Sequence, residues 1–232
     1  EMDSENRVQA KWQKLALNDK TTRSASRHES RRGRAMLNAS SPVEGAFMRC
    51  VWANAHTRAA RWDMCTFPSH LDKHISWPIQ ASGCFLECND VEWVQSVLGS
   101  WNHSQLVDIG GNIGFYTLAA AALGRSVTVM EPSPFNSHHL IASVQANRFH
   151  HVQVLTLCAS DASAPCAIGY HHNNQGMLTH SMGERVSMKR HPFMTMAVRV
   201  DDVIPPQLSP TFLKVRAATI DVRGVHPTCM YA

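Results

Sequence analysis

The sequence predicts an α/β fold organised on a sheet of parallel strands. Three observations carry this. Leu106, Val107 and Ile109 form a short apolar run of the kind seen in a buried strand. Gly110, Gly111 and Gly114 follow at once, and a helix-forming run from Phe115 to Leu123 ends at Gly124. A second apolar run, Val127 to Met130, ends in Glu131-Pro132. Strand, glycine turn, helix and a second strand with an acidic tip mark the cofactor end of a Rossmann-like sheet.

The same residues bear on the ligand. A carboxylate at the tip of the second strand, about 20 residues after the glycines, can accept both hydroxyls of a ribose. Glu131 holds that place, and Pro132 ends the strand. The dinucleotide pattern G-x-G-x-x-G would need its first glycine at Ile109. Asp108 precedes the turn, where a carboxylate sits badly beside a pyrophosphate. It suits a ligand with positive charge, such as the amino group of S-adenosyl-L-methionine (SAM).

The string D-I-G-G-N-I-G-F-Y-T, followed by M-E-P-S-P-F, resembles the FkbM-type family of SAM-dependent methyltransferases. The family shows an aspartate, a glycine pair or Gly-Ala, Asn-x-Gly, Tyr-Thr or Tyr-Ser, and later Glu-Pro. The resemblance covers residues 64 to 224. It implies a Rossmann-like methyltransferase sheet with helices on both faces. It also implies that Asp108, Gly110, Gly111, Asn112, Gly114 and Glu131 hold the cofactor. Ser160 and Asp161, at the end of the third strand, would lie by the adenine; a plain strand-end turn is the other reading of those two residues.

Composition narrows the function classes. The 232 residues suffice for one domain of ordinary size and a tail. Residues 1 to 40 hold nine of the 22 Lys+Arg and five of the 18 Asp+Glu, which leaves 13 of each for the remainder. The net charge of +4 thus belongs to the tail, and the neutral domain is not expected to bind nucleic acid. No run approaches the ~20 apolar residues of a membrane span. Seven cysteines without zinc-finger spacing read as free or buried thiols rather than a metal site. Reduced thiols would fit an intracellular or organellar domain rather than a secreted one. The adjacent histidine pairs, His138-His139, His150-His151 and His171-His172, have poor geometry for sharing one metal, so no metal is expected.

In chain order, residues 1 to 44 are polar and rich in Ser and Arg, and read as a disordered basic tail with a short helix around Val8 to Leu17. The domain is expected over 45–232, with a cap segment over 45–101 and the cofactor core over 102–232. A strand is expected at Phe47 to Ala53. Asp90 is a candidate N-cap for a helix from Val91 to Leu98. After Glu131, a helix runs from Pro134 to about Asn147, its expected C-cap. Val152 to Cys158 reads as the third strand. Residues 165 to 200 read as a polar excursion that could reach the pocket; its His171, His172 and His180 read as solvated loop histidines, with a general base as the other reading. Val200 to Ile204 resembles the family's Leu-Asp-Asp-Leu, and Thr211 to Val215 is the fourth strand.

The family's fourth strand continues as Lys-Ile-Asp-Val-Glu-Gly. Here five extra residues separate Lys214-Val215 from Asp221-Val222-Arg223-Gly224. C-terminal strands are expected to be missing, leaving strand four as an unpaired edge open to self-association. The resemblance implies O-methylation of a hydroxyl on a sugar, lipid or secondary metabolite, with Asp221 as a candidate for the base. A truncated SAM-binding module without activity and a nucleotide-dependent oxidoreductase are the alternatives.

Overall fold

The computed structural model describes residues 48–171, 174–182, 193–204, 211–215 and 230–231. The expected tail, its helix at Val8 to Leu17, His172 and Asp221 lie outside them.

β1 (Val51–His56) and β2 (Arg61–Thr66) form an antiparallel hairpin. The first strand therefore starts and ends later than Phe47 to Ala53, because its partner pairs with it as far as His56. Cys50, just before β1, is disulfide-bonded to Cys65 in β2. The buried carboxylate of Asp72 accepts the N–H groups of His74, Ile75 and Ser76, which anchors the first turn of α1 (Ser76–Ser82). α2 (Cys88–Ser100) begins earlier than predicted. Glu87, not Asp90, takes the N-cap position, and Asp90 sits in the first turn, where a negative charge favours the helix start. A disulfide between Cys84 and Cys88 spans that start. Helical spacing puts Val91, Val94, Val97 and Leu98 on one face; Val91, Val94 and Leu98 are buried and Val97 is half-buried.

β3 (Gln105–Ile109), α3 (Phe115–Ala122), β4 (Ser126–Met130), α4 (Pro134–Ala146) and β5 (Val152–Leu155) follow. Gly124, at φ 73°, takes the left-handed turn that stops α3. Ser133 caps α4 through its hydroxyl, Pro134 opens it and Asn147 is its C-cap. β3, β4 and β5 are parallel and join β10 (Thr211–Val215) and β11 (Met230–Tyr231) in a five-stranded sheet of order β11-β10-β3-β4-β5. The fourth strand is thus where the sequence puts it. It is not unpaired: β11 lies parallel to it, Phe212 opposite Met230 and Leu213 opposite Tyr231.

Period-2 alternation sorts the sheet's side chains into two clusters. Leu106, Val127, Val129 and Phe212 pack with residues of α2, α3 and α4. Val107, Ile109, Met130 and Leu213 pack with Val198 and with Val200 and Val203 of the short helix α5 (Val200–Val203).

The predicted third strand divides. The chain leaves the parallel sheet after Leu155, and Cys158–Ser160 forms β6 in a different sheet. The polar excursion supplies the rest of that sheet: β7 (Ala164–His171), β8 (Asn174–Met182) and β9 (Phe193–Arg199), in the order β6-β9-β7-β8. Among its described residues Cys158, Cys166, Ile168 and Ala197 form a buried cluster, and a disulfide joins Cys158 to Cys166. Six of the seven cysteines are therefore paired, which corrects the expectation of thiols and removes its support for an intracellular location. Among the described residues no helix is long and apolar enough to cross a membrane.

The architecture is a mixed α/β fold with a parallel sheet and packed helices.

Candidate functional site

The carboxyl ends of β3 and β4 are adjacent in the sheet, Ile109 being paired with Met130. The turn after β3 folds back on β4: the N–H groups of Gly110 and Gly111 both donate to the Met130 carbonyl, at 2.8 and 3.2 Å. Gly110 and Gly114 have φ of 78° and 94°, and Asn112 between them also takes a positive φ of 53°. A Cβ on Gly111 would collide with Val129, and one on Gly114 with Leu140. Internal packing therefore already requires glycine at both places.

Glu131 closes the turn. Its Oε2 accepts the Asn112 N–H at 2.8 Å, and its Oε1 accepts the Ser133 N–H at 2.9 Å and the Asn136 side-chain amide at 3.2 Å. The carboxylate is only 2% exposed. Burial pushes its pKa above the ordinary carboxylate value, although these three donors and the charge of Lys214 pull the other way. Two carboxylate oxygens offer about four acceptor positions. Donors among the described residues take three of them, which leaves one position on Oε2 without a described partner.

Asp108 is fully buried, and its countercharge is internal. Lys214, its register partner on β10, donates to Oδ1 at 2.8 Å, and the Thr117 hydroxyl donates to Oδ2 at 2.8 Å. Lys214 also donates to the Gly110 carbonyl at 3.0 Å and lies 5.0 Å from the centre of the Tyr116 ring. One cation thus ties the carboxylate of β3, the glycine turn and α3 together. The Tyr116 hydroxyl donates to Glu87 at the start of α2. Burial, then Asp90 and Asp108, push the Tyr116 pKa up to about 12, which keeps the phenol a donor at neutral pH.

Sequence reasoning missed Lys214, Thr117 and Asn136. The signal for Lys214 was present: a lysine in the apolar run Thr211 to Val215 and an aspartate in the apolar run Leu106 to Ile109 are each costly to bury alone. For Asn136 there was none, because an asparagine at the start of a helix is ordinary. Its Oδ1 has no hydrogen-bond partner among the described residues, although the residue is 1% exposed.

Ser160 and Asp161 are held differently. The Ser160 hydroxyl donates to Asp161 at 3.2 Å and accepts the Ala162 N–H at 3.4 Å, at the end of β6 in the second sheet. Their described contacts do not join them to Glu131. The backbones of His171 and His180 lie in β7 and β8. His139 is a core residue, stacked on Phe67 at 4.0 Å and held neutral by burial. Elsewhere, an open cleft of about 520 Å³ runs along the β1–β2 turn and the start of α2, with Arg58 paired to Glu92 at its side. Among the described residues, no group of three or more His, Cys, Asp or Glu is placed to hold a metal ion.

A SAM-like cofactor is tested by what the site leaves unmet. The glycines and Asp108 are accounted for within the chain. Among the described residues, one acceptor position on Glu131 and the carbonyl of Asn136 are not. Both could accept hydroxyl donors of a ligand such as the ribose of a SAM-like cofactor. Neither a protein-family model nor a curated protein matches this chain.

Proposed function

We propose that this chain is a SAM-dependent methyltransferase domain of the FkbM type, acting on a hydroxyl oxygen of a small molecule, lipid or glycan. The observation that carries the reading is the bond from the Asn112 N–H to Glu131, which holds a glycine turn and a buried carboxylate together at the carboxyl ends of two adjacent parallel strands. Ligands of open α/β sheets bind at those ends.

When bound, SAM supplies a methyl group already activated on a sulfonium. The chain's tasks are to hold the ligand, orient it and keep water out. Glu131 would accept a ribose hydroxyl through the open position on Oε2. Asn112 and Ser133 fix the carboxylate for that contact. Lys214 holds the turn through the Gly110 carbonyl.

A nucleotide-dependent oxidoreductase is the second reading, and one observation favours it. With Lys214 bound to Asp108, the carboxylate no longer stands as a bare charge against a pyrophosphate. The glycine spacing, with Ile109 at the first position, still opposes a dinucleotide.

Calorimetric titration with SAM and with NAD separates the two. SAM is expected to bind, and Glu131→Ala is expected to weaken it by about 1.5–3 kcal/mol, the worth of a hydrogen bond to a charged acceptor. NAD binding without SAM binding overturns the proposal.

A further inference from the structure

We infer that Asn136 is a second ligand-reading residue beside Glu131, its Oδ1 taking one ribose hydroxyl while Glu131 Oε2 takes the other. This rests on the cofactor reading above and adds a residue that the glycine motif does not contain.

Asn136 is buried at the first turn of α4, where its backbone N–H donates to the Ser133 hydroxyl at 3.2 Å. Its side-chain amide donates to Glu131 Oε1, which fixes the orientation: turning the amide over would set two acceptor oxygens against each other. The Oδ1 that results has no partner among the described residues. A buried carbonyl oxygen left unpaired costs about 1–3 kcal/mol, so native proteins rarely keep one without a reason. Among the described residues, its neighbour Glu131 also keeps one open acceptor position. Two acceptors on bonded side chains match two adjacent hydroxyl donors, and match poorly a ligand that offers one donor or only acceptors.

The test is an equilibrium binding cycle on the full chain. S-adenosylhomocysteine and its 2′-deoxy and 3′-deoxy analogues are titrated into the parent protein, Asn136→Ala and Glu131→Gln. The parent is expected to bind each deoxy analogue about tenfold more weakly, the scale of one hydrogen bond. Asn136→Ala should bind S-adenosylhomocysteine about tenfold more weakly and lose discrimination against one deoxy analogue only. Glu131→Gln should lose discrimination against the other. If Asn136→Ala does not fold by circular dichroism, Asn136→Ser replaces it. Equal weakening for all three ligands, coupling to the same hydroxyl as Glu131, or no change each overturns the inference while the cofactor reading stands. Failure of the parent to bind S-adenosylhomocysteine overturns both.

Discussion

The two larger sheets bury their polar groups on different terms. The parallel sheet takes a lysine, an aspartate and a glutamate into its interior and satisfies them against one another and against the glycine turn. Among the described residues of the four-stranded sheet the buried groups are small or apolar, Cys158, Cys166, Ala167, Ile168 and Ala197, and a covalent clip joins two of its strands. In the first, hydrogen-bond geometry fixes where the strands lie relative to each other. In the second, backbone pairing and a short disulfide loop do so. Directional contacts can shape a site for a ligand, whereas a disulfide mainly restricts the unfolded chain.

That contrast can be broken most forcefully at Lys214. Lys214→Met leaves Asp108 buried without its cation, and denaturant titration should show a loss of about 3–5 kcal/mol. Adding Asp108→Leu should restore most of it, because an apolar pair can replace a buried ion pair. A single-variant loss under about 1 kcal/mol would mean that the pair is not the sheet's internal tie. Next comes the turn. Gly114→Ala forces a side chain into a left-handed conformation and into Leu140, at a combined cost of about 2–4 kcal/mol in thermal or chemical unfolding. The clip comes third. Cys158→Ala with Cys166→Ala should cost about 2–3 kcal/mol, with amide exchange rising in β6, β7 and β9 and unchanged in β3 and β4. A rise shared by both sheets would show that they do not open separately.

The smallest expected effect is a slope with pH. Burial raises the Glu131 pKa, so the folded protein keeps a proton over a range where the unfolded chain has released it. The contribution of Glu131 to stability is then greatest below the ordinary carboxylate pKa and declines as pH rises toward the raised one. Glu131→Gln removes that slope. Unfolding measured between about pH 4 and 7 should show the parent losing stability relative to the variant as pH rises. The opposite trend would mean that the donors and Lys214 outweigh burial.

The same comparison explains what could be read from residues alone. β3, β4 and β10 were legible because strands covered on both faces must be short apolar runs, and glycine and proline punctuate them. Glu131 was legible from its place at a strand tip. The four-stranded sheet was not legible. Its residues alternate weakly or not at all, and its partners are set by long-range pairing of Phe193–Arg199 with two strands far back in the chain. The division of Val152 to Cys158 between two sheets left no mark either, since all seven residues suit a strand. The disulfides were hidden because spacing alone does not tell a paired cysteine from a buried thiol. Lys214 was visible as an oddity, but only the register that sets it opposite Asp108 turns the oddity into a bond.

α4 has a further consequence at its far end. Ser143 and Asn147 reach from it to the outer edge of β2: the Ser143 hydroxyl accepts the Cys65 N–H, and the Asn147 side chain bonds both the N–H and the carbonyl of Asp63. At the near end, Ser133 and Asn136 hold Glu131. Thirteen residues of helix, about 20 Å long, therefore span from the buried carboxylate to the hairpin. The amide hydrogens of Asp63 and Cys65 can exchange with solvent only when this helix releases them. Their exchange times thus report, from the helix's opposite end, whether the helix that carries Asn136 is seated.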